Sequence, residues 1–531
     1  MNKSLATGSR DELGQRQIKK QQLINQIYQY LNEQDYLPIK TPLIERRSTF
    51  AEFNATKMFH LQGQYDEELV IRPDLTLPIA RFLATNWVQA NQTNFYYVGD
   101  VVRKTKYLSG KYNQRTQAGI ELIGKAGVKP ELQAIQTMLE ICQLVGVSDL
   151  KLVLGNAKFI DCLLEQETLT TQERQTLKCA IINKNMSIFN QLKPKLKNLP
   201  AALQEWPLVS EVESQDLVKQ LQQLPAVHQI CSELLMVMQA LKKAFPDVTV
   251  TVDFASVTSQ SYYTGLMFSG LITNLGERLF SGGRYDQLIK NVQNETLPAV
   301  GAEIEVDELV EMQPAVNAEK PKPLVFVLAK GRVEADVRQL LRQAGVNNEE
   351  LNHPGRKLIF TSPDQRYQFI LVKPTDVIKY LDSGVGDVGI VGSDTMAEQE
   401  QQHYDALDLQ TGKAEFVLAA PDGFALNAYG RKRIATKYPR VATNYFAHRG
   451  EDVELVKLEG SVELGPLTGL ADAIIDIKQS GNTLKENHLR QYETLGTVST
   501  HLLVRPESFF KFESEIKQLI RNLLQVMEEE Q

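Results

Sequence analysis

The sequence predicts two domains of different fold class in series, an α+β domain on a largely antiparallel sheet with a helical insert, then an α/β domain. Three observations carry this. Residues 313–323 read QPAVNAEKPKP, with Pro314, Pro321 and Pro323 and little to bury, so this stretch holds neither a helix nor a strand ladder and serves as an extended spacer. Before it, strand-like runs flank a long helical stretch, an arrangement of antiparallel α+β domains. After it, short apolar runs alternate with helical patterns, the signature of βαβ units and a parallel sheet.

In order along the chain, Ser9 followed by Glu12 reads as a capping box opening a helix that runs to about Gln34, with Ile24, Ile27 and Leu31 on one face. Strands are expected at 68–71, 94–98 and 116–123, a helix from Pro130 to about Val145, helices through about 155–245, and strands at 248–254 and 262–268. Beyond the spacer, strands at 324–328, 369–372 and 387–391 alternate with helical segments. The predicted domains are 1–310, a linker 311–323, and 324–531.

Composition bounds the function. The chain has 531 residues, 43% hydrophobic and 23% charged, with a net charge of −7, so the whole chain has no basic footprint for nucleic acid. No apolar run approaches the length of a membrane helix, and residues 1–10 lack an apolar signal core, so a cytoplasmic protein with no membrane partner is expected. The four cysteines form no CxxC pair and no two of the seven histidines stand four apart, which disfavours zinc chemistry and leaves the metal site unassigned.

The sharpest local signal is ADAIIDIKQSGNTLK at 471–485, an apolar strand with two acids feeding a Ser-Gly-x-Thr turn that opens a helix. Glycine lets backbone approach a phosphate, and the helix start offers unpaired N–H groups. Ser480 and Thr483 add hydroxyl donors, and Asp472 and Asp476 suit sugar hydroxyls or Mg²⁺. The pattern matches a ribose 5-phosphate; taken alone, it equally describes a capped helix after a strand.

With AKGR at 329–332, GVGDVGIVGSD at 384–394, RIATKYP at 433–439 and GSVELGPLTGLADAIIDIKQSGNTLKEN at 460–487, residues 323–531 resemble short-form ATP phosphoribosyltransferases. Ser480 and Gly465 depart from the family's usual Thr and Ala; serine keeps the hydroxyl. The resemblance implies a two-lobed, type II periplasmic-binding-protein-like fold, with lobe one about 324–412 and 492–531 and lobe two about 413–491. It implies transfer of phosphoribosyl from PRPP to N1 of ATP, the first step of histidine biosynthesis, with Mg²⁺ as cofactor. It assigns Asp472, Asp476, Ser480, Gly481, Asn482 and Thr483 to PRPP, Lys330, Arg332 and Glu463 to catalysis, and Gly331 and Asp394 to the nucleotide cleft.

Residues 1–310 resemble the catalytic core of histidyl-tRNA synthetases, a class II fold, through RPDLT at 72–76, GDVVR at 99–103, QAGIE at 117–121, SYYTG at 261–265 and GGRYD at 282–286. The adenylation residues have gone: Glu308, Thr258 and Thr105 stand where that family places two arginines and an acid, and no anticodon-binding domain precedes the linker. The amino-acid pocket is kept in Asp74, Gln117, Glu121, Tyr262, Tyr263 and Tyr285, which suit an ammonium and an imidazole; the tyrosines equally fit a core. A histidine pocket that spends no ATP is a sensor, as in the synthetase-like regulatory subunits of short-form ATP phosphoribosyltransferases. The expectation is therefore a fusion of regulatory and catalytic subunits, a glycosyltransferase binding ATP, PRPP and allosteric histidine, and a homo-oligomer with a tetramer as the candidate state. The rival readings are a solute-binding protein and a tRNA synthetase.

Overall fold

The computed structural model describes the chain except residues 1–3, 52, 87–91, 107–110, 213–214, 257–261, 274–275, 291–293, 313–322, 332–333, 353–356, 400–401, 427–429 and 530–531. It divides into two compact units, Met1–Lys320 and Pro321–Gln531. Among the described residues no single helix is long and apolar enough to cross a membrane.

The first unit is built on a nine-stranded sheet. Its centre runs antiparallel through Thr93–Val102, Gln114–Ile123, Ala299–Glu305, Arg278–Arg284, Leu266–Ile272 and Leu150–Asn156. Two pairings are parallel, Leu37–Pro38 with Thr93–Val102, and Leu150–Asn156 with Thr249–Asp253. Helix Val128–Leu144 buries Ala134, Ile135, Met138, Ile141 and Cys142, the 3–4 spacing of a helix covering a sheet. The helical insert follows Asn156, and its helices Phe159–Leu164, Thr171–Ile182, Met186–Leu192, Asp216–Gln222 and His228–Ala244 surround Trp206, whose indole N–H donates to Phe254 O at 3.0 Å. Lys184 and Asp253, each 2% exposed, pair at 2.8 Å and tie the insert to the sheet. Removing either partner of such a pair strands a buried charge and costs about 3–5 kcal/mol.

The first helix begins later than its sequence suggests. It spans Gln15–Glu33 and is preceded by Gly14, with no side-chain cap. Glu12 instead accepts from Lys20 at 2.9 Å and pairs with Arg10 at 2.9 Å, joining a cluster around Asp307. The capping box that does form uses Thr170 and Glu173 at the start of Thr171–Ile182.

The second unit holds two sheets. One has six strands in the order Ile359–Thr361, Tyr367–Val372, Leu324–Ala329, Val388–Gly392, Thr500–Val504 and Tyr404–Asp408. The other has five, in the order Val453–Lys457, Lys432–Thr436, Ala473–Lys478, Ala414–Ala420 and Arg490–Val498. Both are mixed: parallel where strands are joined by helices, antiparallel where Thr500–Val504 and Ala414–Ala420 pair with their neighbours and where Ile359–Thr361 pairs with Tyr367–Val372. The chain leaves the first sheet between Asp408 and Ala414, where departure near Gly412 is expected, but returns at Ser499 rather than near 492. The later return follows from Arg490–Val498 completing the second sheet against Ala414–Ala420. The two crossings are bonded side by side, Leu409 N to Thr500 O at 2.8 Å and Thr500 N to Thr411 O at 3.0 Å.

Candidate functional sites

In the second unit, strand Ala473–Lys478 delivers the hydroxyl–glycine loop to a sheet end. Gly481 has φ 77°, a left-handed conformation costly for residues with a Cβ, and it turns the chain into helix Asn482–Glu486. Ser480, Asn482 and Thr483 are exposed, so their hydroxyl and amide groups face solvent and are open to a ligand.

The structure separates the two acids of the motif. Asp476 lies two residues before the strand's end, where burial, with Glu463 and Asp394 adding repulsion and Lys437 opposing them, pushes its carboxyl above the usual range. Asp472 precedes the strand, about 13 Å of extended chain away. There it accepts from Arg433 N at 2.8 Å and from the Arg433 guanidinium at 3.0 Å; the backbone bond foremost holds its carboxyl below the usual range. Asp472 thus closes the strand start, and of the two acids Asp476 stands nearer the hydroxyl–glycine loop along the strand.

Between the two sheets lies a cavity of about 900 Å³, counting its open mouth. Lys330, Gly331 and Asp394 line it, together with Leu328 and Ile390 from the first sheet and Ile477 and Val498 from the second. Lys330 is exposed, its backbone N–H fixed to Val372 O at 2.7 Å. A Cβ at Gly392 would meet the Asp394 carboxylate, which would have to turn from its present place. Tyr438 donates to Asp394 at 3.2 Å. Glu463 stands half-buried before the turn Leu464–Leu467, and Arg332 lies outside the described residues.

In the first unit a pocket of about 530 Å³, counting its mouth, is floored by Gly301, Ala302 and Glu303 of strand Ala299–Glu305 with Arg278 and Ser281 of its neighbour. Tyr262, Tyr263 and Tyr285 line it, whereas Asp74, Gln117 and Glu121 stand behind its lining. On its other side Ala299–Glu305 sets Gly301 opposite Glu121, Glu303 opposite Gly119 and Glu305 opposite Gln117, so each long acid faces a glycine or an amide. The glycines make the room: a Cβ at Gly301 would overlap Glu121, and one at Gly119 would overlap the Tyr97 ring. Glu121, 1% exposed, accepts from Thr76 Oγ1 at 2.8 Å and from the Tyr285 hydroxyl. Burial pushes its carboxyl up to about 8, against both hydrogen bonds. Asp74, 3% exposed, accepts from Leu77 N at 2.9 Å and is likewise raised by burial.

Tyr262, Tyr263 and Tyr285 form one wall, with ring centroids 5.0 to 6.3 Å apart. Gln117, 1% exposed, donates to Glu305 at 2.8 Å. Eight buried side-chain polar atoms lack a partner among the described residues, and three of them cluster by this pocket in sequence and register: Arg103 Nη2, in its lining, and Gln117 Oε1 and Glu305 Oε2 on the paired strands. Unpaired buried donors and acceptors cost about 1–3 kcal/mol each, and an anionic group in the pocket would satisfy Arg103.

Sequence reasoning did not assign Thr76, Tyr97, Arg103, Arg278, Ser281 or Glu303 to this pocket, although all line it. The period-2 alternation of Gly301, Glu303 and Glu305 carried a signal for Glu303. Around Glu308, where a synthetase would carry a cation, Glu277, Glu305 and Asp307 add further negative charge and Arg115 is the opposing cation; burial foremost raises the Glu308 carboxyl. A triphosphate there would meet net negative charge. Thr105 bonds Asn113 through its N–H and hydroxyl, and Thr258 lies outside the described residues.

Glu121 gives the apo pocket a pH signature. Its carboxyl titrates near 4.5 in an unfolded chain and at about 8 when folded. Between those values the folded state holds a proton the unfolded state has shed, so stability falls as pH rises through that window. The thermal midpoint of the ligand-free first unit, followed in the full chain, is expected to drop from pH 6 to pH 8.5, and Glu121→Gln is expected to flatten that slope. An equal slope in both proteins would refute the assignment.

A class II synthetase-like sheet with a pocket lined by tyrosines, Arg103, Arg278 and Glu303, in one chain with a two-sheet unit that carries a hydroxyl–glycine loop, is the frame of a regulated sugar-phosphate transferase. Residues 8–309 match the family model described as histidyl-tRNA synthetase, and residues 373–525 match that described as ATP phosphoribosyltransferase. The ATP phosphoribosyltransferase of Lacticaseibacillus casei (strain BL23) is 49% identical over 207 residues, 39% of this chain and 98% of that protein. The ATP phosphoribosyltransferase regulatory subunit of the same strain is 37% identical over 333 residues, 61% of this chain and 86% of that protein. The solved ATP phosphoribosyltransferase regulatory subunit/histidyl-tRNA synthetase from Bacillus halodurans shares the fold, with a TM-score of 0.51 at 22% identity over 70% of this chain and 99% of that one. The chain belongs to the ATP phosphoribosyltransferase family and carries regions like its regulatory and catalytic subunits in one polypeptide.

Proposed function

We infer that the chain transfers the phosphoribosyl group of PRPP to N1 of the adenine ring of ATP, the first step of histidine biosynthesis, and that histidine bound in the first unit restrains this reaction. The observation that carries it is the presence in one chain of the loop Ser480, Gly481, Asn482 and Thr483 and of a pocket lined by Arg103, Arg278 and Glu303, where Arg103 Nη2 is buried without a partner among the described residues. We read the two sheets of the second unit as lobes of a binding-protein type, with substrates between them, and the assembled protein as a homo-oligomer in the cytoplasm.

In this reading the loop N–H groups and hydroxyls hold the 5-phosphate, and Asp476 accepts from the ribose hydroxyls. Lys330 attracts the nucleotide and pyrophosphate charge, with Arg332 beside it in sequence. The N1 lone pair forms the bond to the anomeric carbon as the bond to pyrophosphate breaks, with inversion; positive charge gathers on the ribose near Asp476, Asp394 and Glu463. Among the described residues no three acidic, histidine or cysteine side chains make a protein-only metal cage. Mg²⁺ is usually held by one or two carboxylates plus substrate phosphates, which suits Asp476 with Asp394 or Glu463. When bound, Mg²⁺ would neutralise the departing pyrophosphate.

In the first unit, Arg103 suits the histidine carboxylate, Asp74 and Glu303 the ammonium, and Glu121 with the tyrosines the imidazole. The test follows phosphoribosyl-ATP by absorbance with ATP, PRPP, Mg²⁺ and pyrophosphatase. Turnover is expected, and saturating histidine is expected to lower it about tenfold or more. Turnover indifferent to histidine would demote the first unit to a scaffold; absence of turnover in folded protein would overturn the reading.

A further inference from the structure

At the crossing between the two sheets of the second unit stands a Ser–His–Asp array that the reaction above does not use. His501 Nδ1 lies 2.8 Å from Asp405 Oδ1, and its Nε2 lies 3.1 Å from Ser499 Oγ. Ser499 is the residue between strands Arg490–Val498 and Thr500–Val504, and it lines the inter-sheet cavity. Its backbone is fixed to Ser393 on both sides, Ser393 N donating to Ser499 O at 2.8 Å and Ser499 N to Ser393 Oγ at 3.2 Å. The hydroxyl is therefore held by the main chain at the cavity wall and aimed by the imidazole.

The charged groups facing His501 are Asp405 and Asp408, both on Tyr404–Asp408; the strand on its other side sets Val391 opposite it. Burial opposes the charged form, but the bond to Asp405 and the charges of Asp405 and Asp408 prevail and raise the imidazole above its ordinary value. A carboxylate only accepts, so Nδ1 carries a hydrogen. In the imidazolium, Nε2–H donates to Ser499 Oγ and the serine proton is left to point into the cavity. In the neutral ring that proton turns back to Nε2. An imidazolium cannot take the serine proton, so the array orients a hydroxyl and does not generate a nucleophile.

Resting on the reading of the cavity as the ATP site, we propose that Ser499 is a base-reading residue, donating its hydroxyl to a ring nitrogen of the purine, with His501 and Asp405 as the positioning pair that fixes its direction. The cavity walls favour the base over a phosphate: Leu328, Ile390, Ile477 and Val498 offer apolar faces from both sheets, while the exposed phosphate loop lies beyond Ile477, past the end of the same strand. One hydrogen bond to a buried acceptor is worth about 1.4 kcal/mol, a tenfold change in affinity.

The test uses the full chain without histidine and varies ATP and PRPP separately from pH 6 to pH 9. Ser499→Ala is expected to raise KM for ATP about tenfold at pH 6.5, leaving KM for PRPP unchanged. In the unaltered protein KM for ATP is expected to climb with pH as His501 loses its charge, and in Ser499→Ala that climb disappears. Asp405→Asn is expected to shift the climb to lower pH, and Ser499→Thr to restore the low KM. Turnover with an unmoved ATP KM in Ser499→Ala, a rise in the PRPP KM instead, or the same pH climb in both proteins overturns the proposal. Absence of turnover in the unaltered protein overturns the underlying reading instead.

Discussion

Asp476→Asn is expected to lower kcat/KM for PRPP by about two to three orders of magnitude, whereas Asp472→Asn stays within about twofold of the unaltered protein. Asp476 stands beside the phosphate loop, its carboxyl raised by burial and by Glu463 and Asp394, so ribose hydroxyls and developing positive charge both relieve a strained anion. A charge-assisted hydrogen bond is worth about 1.5–3 kcal/mol, and a second that strengthens only in the transition state brings the loss to about 3–4 kcal/mol. Asp472 has spent its oxygens on Arg433, in a half-exposed pair at 3.0 Å worth at most about 1 kcal/mol of stability. Steady-state kinetics with PRPP varied, and thermal midpoints of both variants, separate the cases. Equal losses in the two variants would refute the one-acid assignment.

The contrast shows what a sequence exposes and what it hides. The phosphate loop was legible because its chemistry is local: Gly481, with φ 77°, and its neighbouring hydroxyls act within four residues. The two acids looked equivalent because spacing along a strand reveals a shared face but not the distance along it. Glu303 was hidden for a related reason. Its place in the pocket depends on cross-strand register, with Gly119 opposite it and Gly301 opposite Glu121, and no single segment displays that. Ser9 and Glu12 have capping-box spacing, but Lys20 and Arg10 draw Glu12 away, a tertiary contact overriding a local one. The late return at Ser499 escaped notice because Arg490–Val498 carries its apolar residues Tyr492, Leu495 and Val498 at every third position and lacks the alternation that marks a strand. Class and order of the two units were legible, since each rests on repeated pattern rather than on one contact.

Glu121→Gln is expected to raise the concentration of histidine giving half-maximal inhibition by about tenfold to a hundredfold. The two side chains are nearly isosteric, so the Thr76 bond at 2.8 Å and the packing against Tyr285 have a counterpart in the variant, and what changes is charge. Burial holds the Glu121 carboxyl up at about 8 in the ligand-free pocket. An arriving imidazolium or ammonium favours the ionised form and lowers it again, so binding drives out the proton that burial had held and gains a charge-assisted bond net of that release. An amide cannot ionise and loses that bond, about 1.5–3 kcal/mol before the release is counted. Coupling between sites is reciprocal in binding free energy, so in either protein PRPP shifts histidine affinity by the same factor by which histidine shifts PRPP affinity. Titrating histidine into the assay at several fixed PRPP concentrations measures both sides of that linkage. If the midpoint moves at every PRPP concentration, the pocket is the sensor; if the midpoint stays where it was, histidine acts elsewhere on the chain and the pocket of the first unit has another occupant.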